Sequence, residues 1–304
     1  MAERVIVAVN GGPESDAALD WTIERAKRHR VVLDVLTIVP LGAAQPPGGH
    51  RYALPAYERL VTEAVERVER EAPGTSVTGF VRRGDVRGEL LSTSARTELL
   101  VIGAHEPRGI FHGILPHQVA AATRSPVVIV PAGWKPRGGA VVVGADDDET
   151  SRVALHRAAD EAQQLDRPLV ILHAWRVAAA LLPGVDGVSA DPSASVHGAH
   201  EQILQRCAAA AQHSHPRLSV QLRLREGSAA VELVESAASA DLLVVGTHRH
   251  GTIPGLLLGS VAHDVLITLP CPVLVVPHPD EEPLHRWLAL HDASVVDEAE
   301  RDLY

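Results

Sequence analysis

The chain repeats itself. Val5-Ile6-Val7-Ala8-Val9-Asn10 lines up with Val141-Val142-Val143-Gly144-Ala145-Asp146, and Ser15, Ala18, Leu19 and Ala26 line up with Ser151, Ala154, Leu155 and Ala162. Further along, Leu99-Leu100-Val101-Ile102-Gly103 matches Leu242-Leu243-Val244-Val245-Gly246, and Pro126-Val127-Val128-Ile129-Val130-Pro131 matches Pro272-Val273-Leu274-Val275-Val276-Pro277. Solenoid units are far shorter, about 20–50 residues, so two copies of this length imply tandem domains. A chain of 304 residues has room for two cores. The join, Ala132-Gly133-Trp134-Lys135-Pro136-Arg137-Gly138-Gly139, has the glycines and proline of a linker. These features predict a first domain over 1–133, a second over 134–278, and a C-terminal tail over 279–304.

Each repeat alternates strand and helix patterns. In the first, 5–9 is a β-branched apolar run that reads as a central strand, and Gly11-Gly12-Pro13 turns the chain. Ser15 is expected to cap a helix whose stripe is Ala18, Leu19, Ile23 and Ala26. Further strands are expected over 31–39, 76–81, 99–102 and 127–130, with helices over 57–71, 86–95 and 117–123. The Pro- and Gly-rich stretch 41–50 reads as a loop. The second repeat follows the same order, beginning with a strand over 140–145 and a helix near Arg152. This alternation predicts an α/β fold: two tandem Rossmann-like domains, each an open five-stranded, mainly parallel sheet with helices on both faces. Ligands of such sheets sit at the carboxyl ends of the strands.

Composition narrows the function classes. The formal net charge of −10 argues against a nucleic-acid partner and against an anionic membrane surface. No apolar run approaches the ~20 residues of a membrane span, and the N-terminus starts directly on a strand-like run, which argues against a signal peptide. Cys207 and Cys271 are isolated and lack metal spacing, so they read as small apolar residues in a reducing cytoplasm. The pairs His213/His215 and His248/His250 have no cysteine or carboxylate at a familiar zinc spacing and read as solvent-facing loop residues.

The stretch with the most chemistry is Leu242-Leu243-Val244-Val245-Gly246-Thr247-His248-Arg249-His250-Gly251, leading through Ile253-Pro254-Gly255 to Gly259-Ser260-Val261. A buried strand feeds a glycine-rich loop, and the loop feeds a helix over 260–269. Glycine lets backbone approach a phosphate, and the first N–H groups of the helix have no internal partner and lie at its positive end. The same glycines would also serve a turn with nothing bound. Asp146, at the tip of the first strand of this repeat, can accept hydrogen bonds from a ribose hydroxyl or a base amino group. It lies too early to be the cap of the helix near Arg152, a role open to Asp147, Asp148 or Thr150.

The run Gly227-Ser228-Ala229-Ala230-Val231, then Ala240-Asp241 into the strand ending at Gly246, then Gly259-Ser260-Val261, and finally Pro270-Cys271-Pro272 with the closing strand, resembles the C-terminal half of a universal stress protein domain. The family signature is a glycine, two residues, a second glycine, nine residues, then Gly-Ser or Gly-Thr. Gly246, Gly259 and Ser260 are in register, and the second glycine position is Arg249. The resemblance implies an adenine-nucleotide site, with ATP the expected cofactor, built from Gly144, Asp146, Ala174, Val245, Gly246, Arg249, Gly259, Ser260 and Val261; it leaves Mg²⁺ open. Asp146 would contact the nucleoside, and Ala174, just after His173, would offer its backbone to adenine. Arg249 either pairs with phosphate oxygens in a forked geometry or folds in to pair with Asp147 or Asp148. The family also implies that the closing strands of the two repeats pair across a pseudo-twofold, giving an internal dimer that can associate into a homodimer.

The first repeat departs further. Asn10 stands where the aspartate would be, Glu106 occupies the second glycine position, Gly113 is followed by Ile114, and Pro116 lacks an N–H. That repeat is expected to be structural. The tail carries Asp280-Glu281-Glu282 and an acidic cluster over 297–302, and reads as a solvated extension.

Three functions follow. The first is a cytoplasmic tandem universal stress protein that senses or stores adenine nucleotide in its second domain and presents a surface to a protein partner. The alternatives are a nucleotide-free interaction module and a slow ATPase. The last is weakened because Lys27 and Lys135 are the only lysines, and neither lies near a glycine loop.

Overall fold

A computed structural model of the chain describes residues 2–41, 54–105, 114–176, 192–247 and 258–278. The expected loop from residue 42 onward, Arg249 with His248 and His250, Glu106, and the tail lie outside these described residues.

The first half runs β1 (Glu3–Ala8), α1 (Pro13–Arg28), β2 (Val31–Pro40), α2 (Leu54–Glu71), β3 (Ser76–Gly84), α3 (Val86–Ser94), β4 (Leu99–Ala104), α4 (Ile114–Ala122) and β5 (Val127–Pro131). The second half repeats it as β6 (Val141–Gly144), α5 (Glu149–Leu165), β7 (Leu169–Trp175), α6 (Pro192–Ser214), β8 (Val220–Glu226), α7 (Ala229–Ala237), β9 (Leu242–Gly246), α8 (Ser260–Thr268) and β10 (Val273–Val276). All ten strands belong to one sheet of order β3-β2-β1-β4-β5-β10-β9-β6-β7-β8. Within each half the pairings are parallel, as a strand-helix alternation requires.

Strand alternation divides the core into two layers. Val5, Val7, Val101, Val143 and Val244 face α1 and α5, whereas Ile6, Leu100, Ile102, Val142 and Val245 face the layer of α3, α4, α7 and α8. Central strands are therefore buried on both faces, which explains their continuous apolar runs. The edge strands β3 and β8 are mostly exposed and carry Arg82, Arg83, Arg223 and Arg225. Charged residues on an edge discourage pairing with another chain.

Helix starts follow local chemistry. Ser15 does not cap α1. The cap is Gly12, Pro13 occupies the first turn, and the Ser15 hydroxyl donates to the Gly12 carbonyl at 2.9 Å. Proline at this position displaces the start by fixing a helical φ where its missing N–H costs nothing. In the second half, Asp148 caps α5 by accepting from the Ser151 N–H at 2.8 Å, so the helix begins before Arg152.

The halves meet at β5 and β10, which pair antiparallel through Val127↔Val275, Val128↔Leu274 and Ile129↔Val273. Val128 and Leu274 are equivalent positions of the repeat, so a pseudo-twofold passes between them. The same relation holds on both faces of the sheet. Arg25 of α1 and Glu161 of α5 are equivalent and meet in a bidentate pair of 2.6 and 3.0 Å, both fully buried. On the opposite face, His117 of α4 and His263 of α8 are equivalent and pack edge to face at 5.5 Å.

The Arg25 guanidinium also donates to both oxygens of Glu3 and lies over the Trp21 ring, and Arg157 joins Glu3 and Glu161 to complete the network. Burial alone would raise the carboxyls of Glu3 and Glu161, but the two guanidinium groups outweigh it. Glu3 is brought down to about 2, and Glu161 is also held below its ordinary value.

Two predictions follow from this network. Glu161→Ala removes one of the two carboxylate partners of the buried Arg25, leaving Glu3 alone, and should lower unfolding free energy by about 3–5 kcal/mol, measured by urea denaturation. Because the folded-state values are depressed, the carboxylates' contribution is complete above the ordinary glutamate value of 4.5 and is lost as pH falls toward about 2. Thermal midpoints should therefore drop steeply across that window in the native chain and less steeply in Glu161→Gln.

Candidate functional site

At the carboxyl ends of the central strands of the second half lies a cavity of about 430 Å³, within the range of small-molecule sites, ~300–1,000 Å³. Gly144 and Asp146 reach it from the end of β6, Ala174 from β7, Val245 and Gly246 from β9, and Gly259, Ser260 and Val261 from the start of α8. The structure thus brings together on one cavity wall every nominated residue that it describes.

Asp146 is exposed, and its Oδ1 accepts from the Asp147 N–H at 2.8 Å. It does not cap α5. Among the described lining residues it is the one charged group. Its acidic neighbours are engaged elsewhere: Asp148 caps α5, and Asp147 pairs with Arg206 of α6 at 2.8 Å. None of Asp147, Asp148 and Glu149 is among the described residues that line the cavity.

Gly259 precedes α8 in an extended conformation, and no side chain caps the helix. The N–H groups of its first turn consequently border the cavity together with the positive end of the helix dipole. Ala174 presents little side chain to the cavity beside it. Its strand is held by His173, whose Nδ1 donates to the Ala145 carbonyl at 2.8 Å. The carbonyl can only accept, so His173 Nε2 is left to accept from His200 Nδ1, also at 2.8 Å. The His200 ring stacks on Trp175 at 5.1 Å. Desolvation, and then the electrostatic influence of the neighbouring His173, push His200 below the usual histidine value.

Two nominated glycines have packing reasons of their own. A Cβ on Gly246 would lie 2.6 Å from Thr150 Cγ2 and 3.2 Å from the Thr150 carbonyl, and one on Gly144 would lie 3.0 Å from Leu233. Gly246 is therefore the residue that lets the start of α5 approach β9. Gly103 does the same for α1 against β4, where a Cβ would meet the Glu14 backbone.

Sequence reasoning missed several walls. Leu172 lies two residues before the nominated Ala174 on the same face of β7, and Ala229 and Leu233 are four apart on α7, but that periodicity is shared by core residues and does not mark a cavity wall. Ser151 carried a signal, since it matches Ser15 in the repeat. Of the histidines assessed from sequence, His213 lies on α6 and not in a loop and is exposed, His215 pairs with Asp160 at 3.0 Å, and His248 and His250 lie outside the described residues, among which no group of three or more potential ligands occurs. Cys271 is buried and its thiol is pushed up to about 12, so it is inert at neutral pH. Among the described residues no helix is long and apolar enough to cross a membrane.

The universal stress protein family model matches residues 1–131 and again 139–277. The chain belongs to the universal stress protein family. It is 28% identical over 306 residues to a universal stress protein of Mycobacterium tuberculosis, covering 91% of this chain and 96% of the relative. It is 27% identical over 296 residues to one of Mycolicibacterium smegmatis, covering 90% and 96%. These relatives span the tandem arrangement. A crystal structure of a universal stress protein from Archaeoglobus fulgidus superposes with a TM-score of 0.67 at 17% identity, covering 90% of this chain and 98% of that one, and so shares the fold.

Gly246→Ala separates packing from binding in this member of the family. The added methyl should cost about 1–3 kcal/mol of stability by forcing α5 away from β9, read by chemical denaturation without any ligand.

Proposed function

We propose that the second repeat binds an adenine nucleotide, with ATP as the ligand, and that the chain acts as a nucleotide-dependent regulator in a cytoplasmic stress response. The observation that best supports this is the pairing of Asp146 with the uncapped start of α8 on a single cavity. A nucleotide needs an acceptor for its ribose or base at one place and donors for its phosphates at another. The residues fit such a ligand. Asp146 supplies the acceptor, Ala174 leaves space and a strand-end backbone for a flat base, and Ser260 and Val261 supply N–H groups free of a capping side chain. Arg249 would add charge to the phosphates.

The first repeat supports the reading by contrast. Its α4 begins Ile114-Leu115-Pro116 where α8 begins Ser260-Val261-Ala262, so proline removes one of the first-turn donors. A nucleotide-free interaction module is the competing reading, and it is the one that the packing roles of Gly144 and Gly246 favour.

Calorimetric titration distinguishes them. ATP should bind the native chain, and Asp146→Ala should weaken it by about 10–100-fold, the equivalent of ~1.5–3 kcal/mol for a hydrogen bond to a charged group. Ser260→Pro keeps the extended residue before the helix and the helical φ but removes one donor. It should weaken ATP about tenfold while leaving adenosine unaffected. No heat with millimolar ATP, together with purified protein that releases no nucleotide on denaturation, would establish the nucleotide-free module instead.

A further inference from the structure

The first repeat also has a cavity, of about 420 Å³, at the carboxyl ends of its strands. Its walls are those of the second repeat with several residues exchanged, Ser15 keeping the place of Ser151. Asn10 stands at the position of Asp146, Glu14 at that of Thr150, Ile38 at that of Ala174, Val86 at that of Ala229, and Pro116 at that of Ala262. The exchange fills the walls with larger apolar side chains and removes an N–H from the helix start. It also moves the acidic group from the tip of the strand to the first turn of α1.

Glu14 is the unusual member. Its side chain is more than nine-tenths buried. Oε1 accepts from Asn10 Nδ2 at 3.1 Å and lies 3.3 Å from His105 Nε2, whereas Oε2 is buried without a hydrogen-bond partner. The conformation has been given room: a Cβ on Gly12 would lie 2.6 and 2.7 Å from the two carboxyl oxygens. No lysine or arginine occurs among the described lining residues. A buried carboxyl oxygen without a donor is costly, and a carboxylate without a permanent cation beside it more so. An apolar cavity with such a group in its wall is complementary to a molecule with an apolar body and a cationic head.

We propose that the first repeat is a binding site for a small organic cation, a protonated amine or amidinium on an aliphatic or aromatic body, with its N–H groups donating to Glu14 Oε2. Tyr57, Leu90 and Ile38 enclose the apolar body. Phosphorylated ligands are excluded there, because the carboxylate repels them and Pro116 withdraws a donor. The site is independent of nucleotide binding in the second repeat.

Three ligands of one shape test the assignment: benzamidine as the cation, benzamide as the neutral donor, and benzoate as the anion. Each is titrated into the full-length chain up to about 10 mM and followed by calorimetry. Benzamidine should bind at least about tenfold more tightly than benzamide, and benzoate should not bind. Glu14→Gln should weaken benzamidine by at least about tenfold and bring it level with benzamide. Should Glu14→Gln fail to fold, Ile38→Phe provides the second test, since it keeps the carboxylate and fills the cavity, and it should abolish benzamidine binding. Absence of heat with benzamidine, equal affinity for benzamide, or unchanged benzamidine affinity in a folded Glu14→Gln or in Ile38→Phe would each overturn the proposal.

Discussion

Everything in this molecule is arranged about the place where its two halves face each other. Three residue pairs of β5 and β10 turn two five-stranded parallel sheets into one sheet of ten strands. A twofold relation brings equivalent positions together, and at a duplicated interface that has an electrostatic consequence. Two copies of the first repeat would confront Arg25 with Arg25, and two copies of the second would confront Glu161 with Glu161. Both like-charge pairs would be buried and unpaired, which is prohibitive in a low-dielectric interior. Having Arg in one copy and Glu in the other converts the worst position of the interface into its best-bonded one. The network extends through Glu3 and Arg157, so the first strand of one half and a helix of the other are held by the same charges.

That joining leaves the carboxyl ends of each half open. Both halves keep a cavity there, of nearly equal size, because strand order and helix placement are properties of the shared backbone. What differs is chemistry hung on the same frame. In the second half a lone exposed carboxylate and an uncapped helix start border small side chains, and in the first a buried carboxyl group borders large ones. Gly103 and Gly246 are common to both because the strand beneath the first helix of each half must admit that helix closely, whatever the cavity holds.

The fold was legible in the sequence because it rests on periodicity. Continuous apolar runs marked strands buried on both faces, and helical stripes such as Ala18, Leu19 and Ile23 marked the layers that cover them. Element ends were less legible. Gly12 and Asp148 are equivalent positions just before their helices, and only Asp148 has a side chain that can cap, whereas Ser15 lies inside α1 because Pro13 starts that helix two residues earlier. The site was legible in part. Asp146, Ala174, Gly259 and Ser260 announced themselves by residue type at strand ends and a helix start. Leu172 and Leu233 did not, because an apolar side chain on a cavity wall has the same pattern as one in the core. For Asp147 and Asp148 the sequence offered a helix cap or a pairing with Arg249, and their engagement with Arg206 and Ser151 depends on α6 and on the cap geometry.

By itself the sequence determined the duplication, the strand-helix alternation, the family and the helix start that faces the second cavity, because each of these is written in residues that are neighbours along the chain. Only the tertiary structure decided that Arg25 meets Glu161, that Gly246 is a packing glycine, and that Glu14 turns a buried carboxyl group into the wall of a second cavity. Those outcomes depend on which side chains are brought together across 136 residues between α1 and α5, or across a strand and the helix packed on it. No local pattern encodes such distances, and burial and charge act only once the chain has closed on itself.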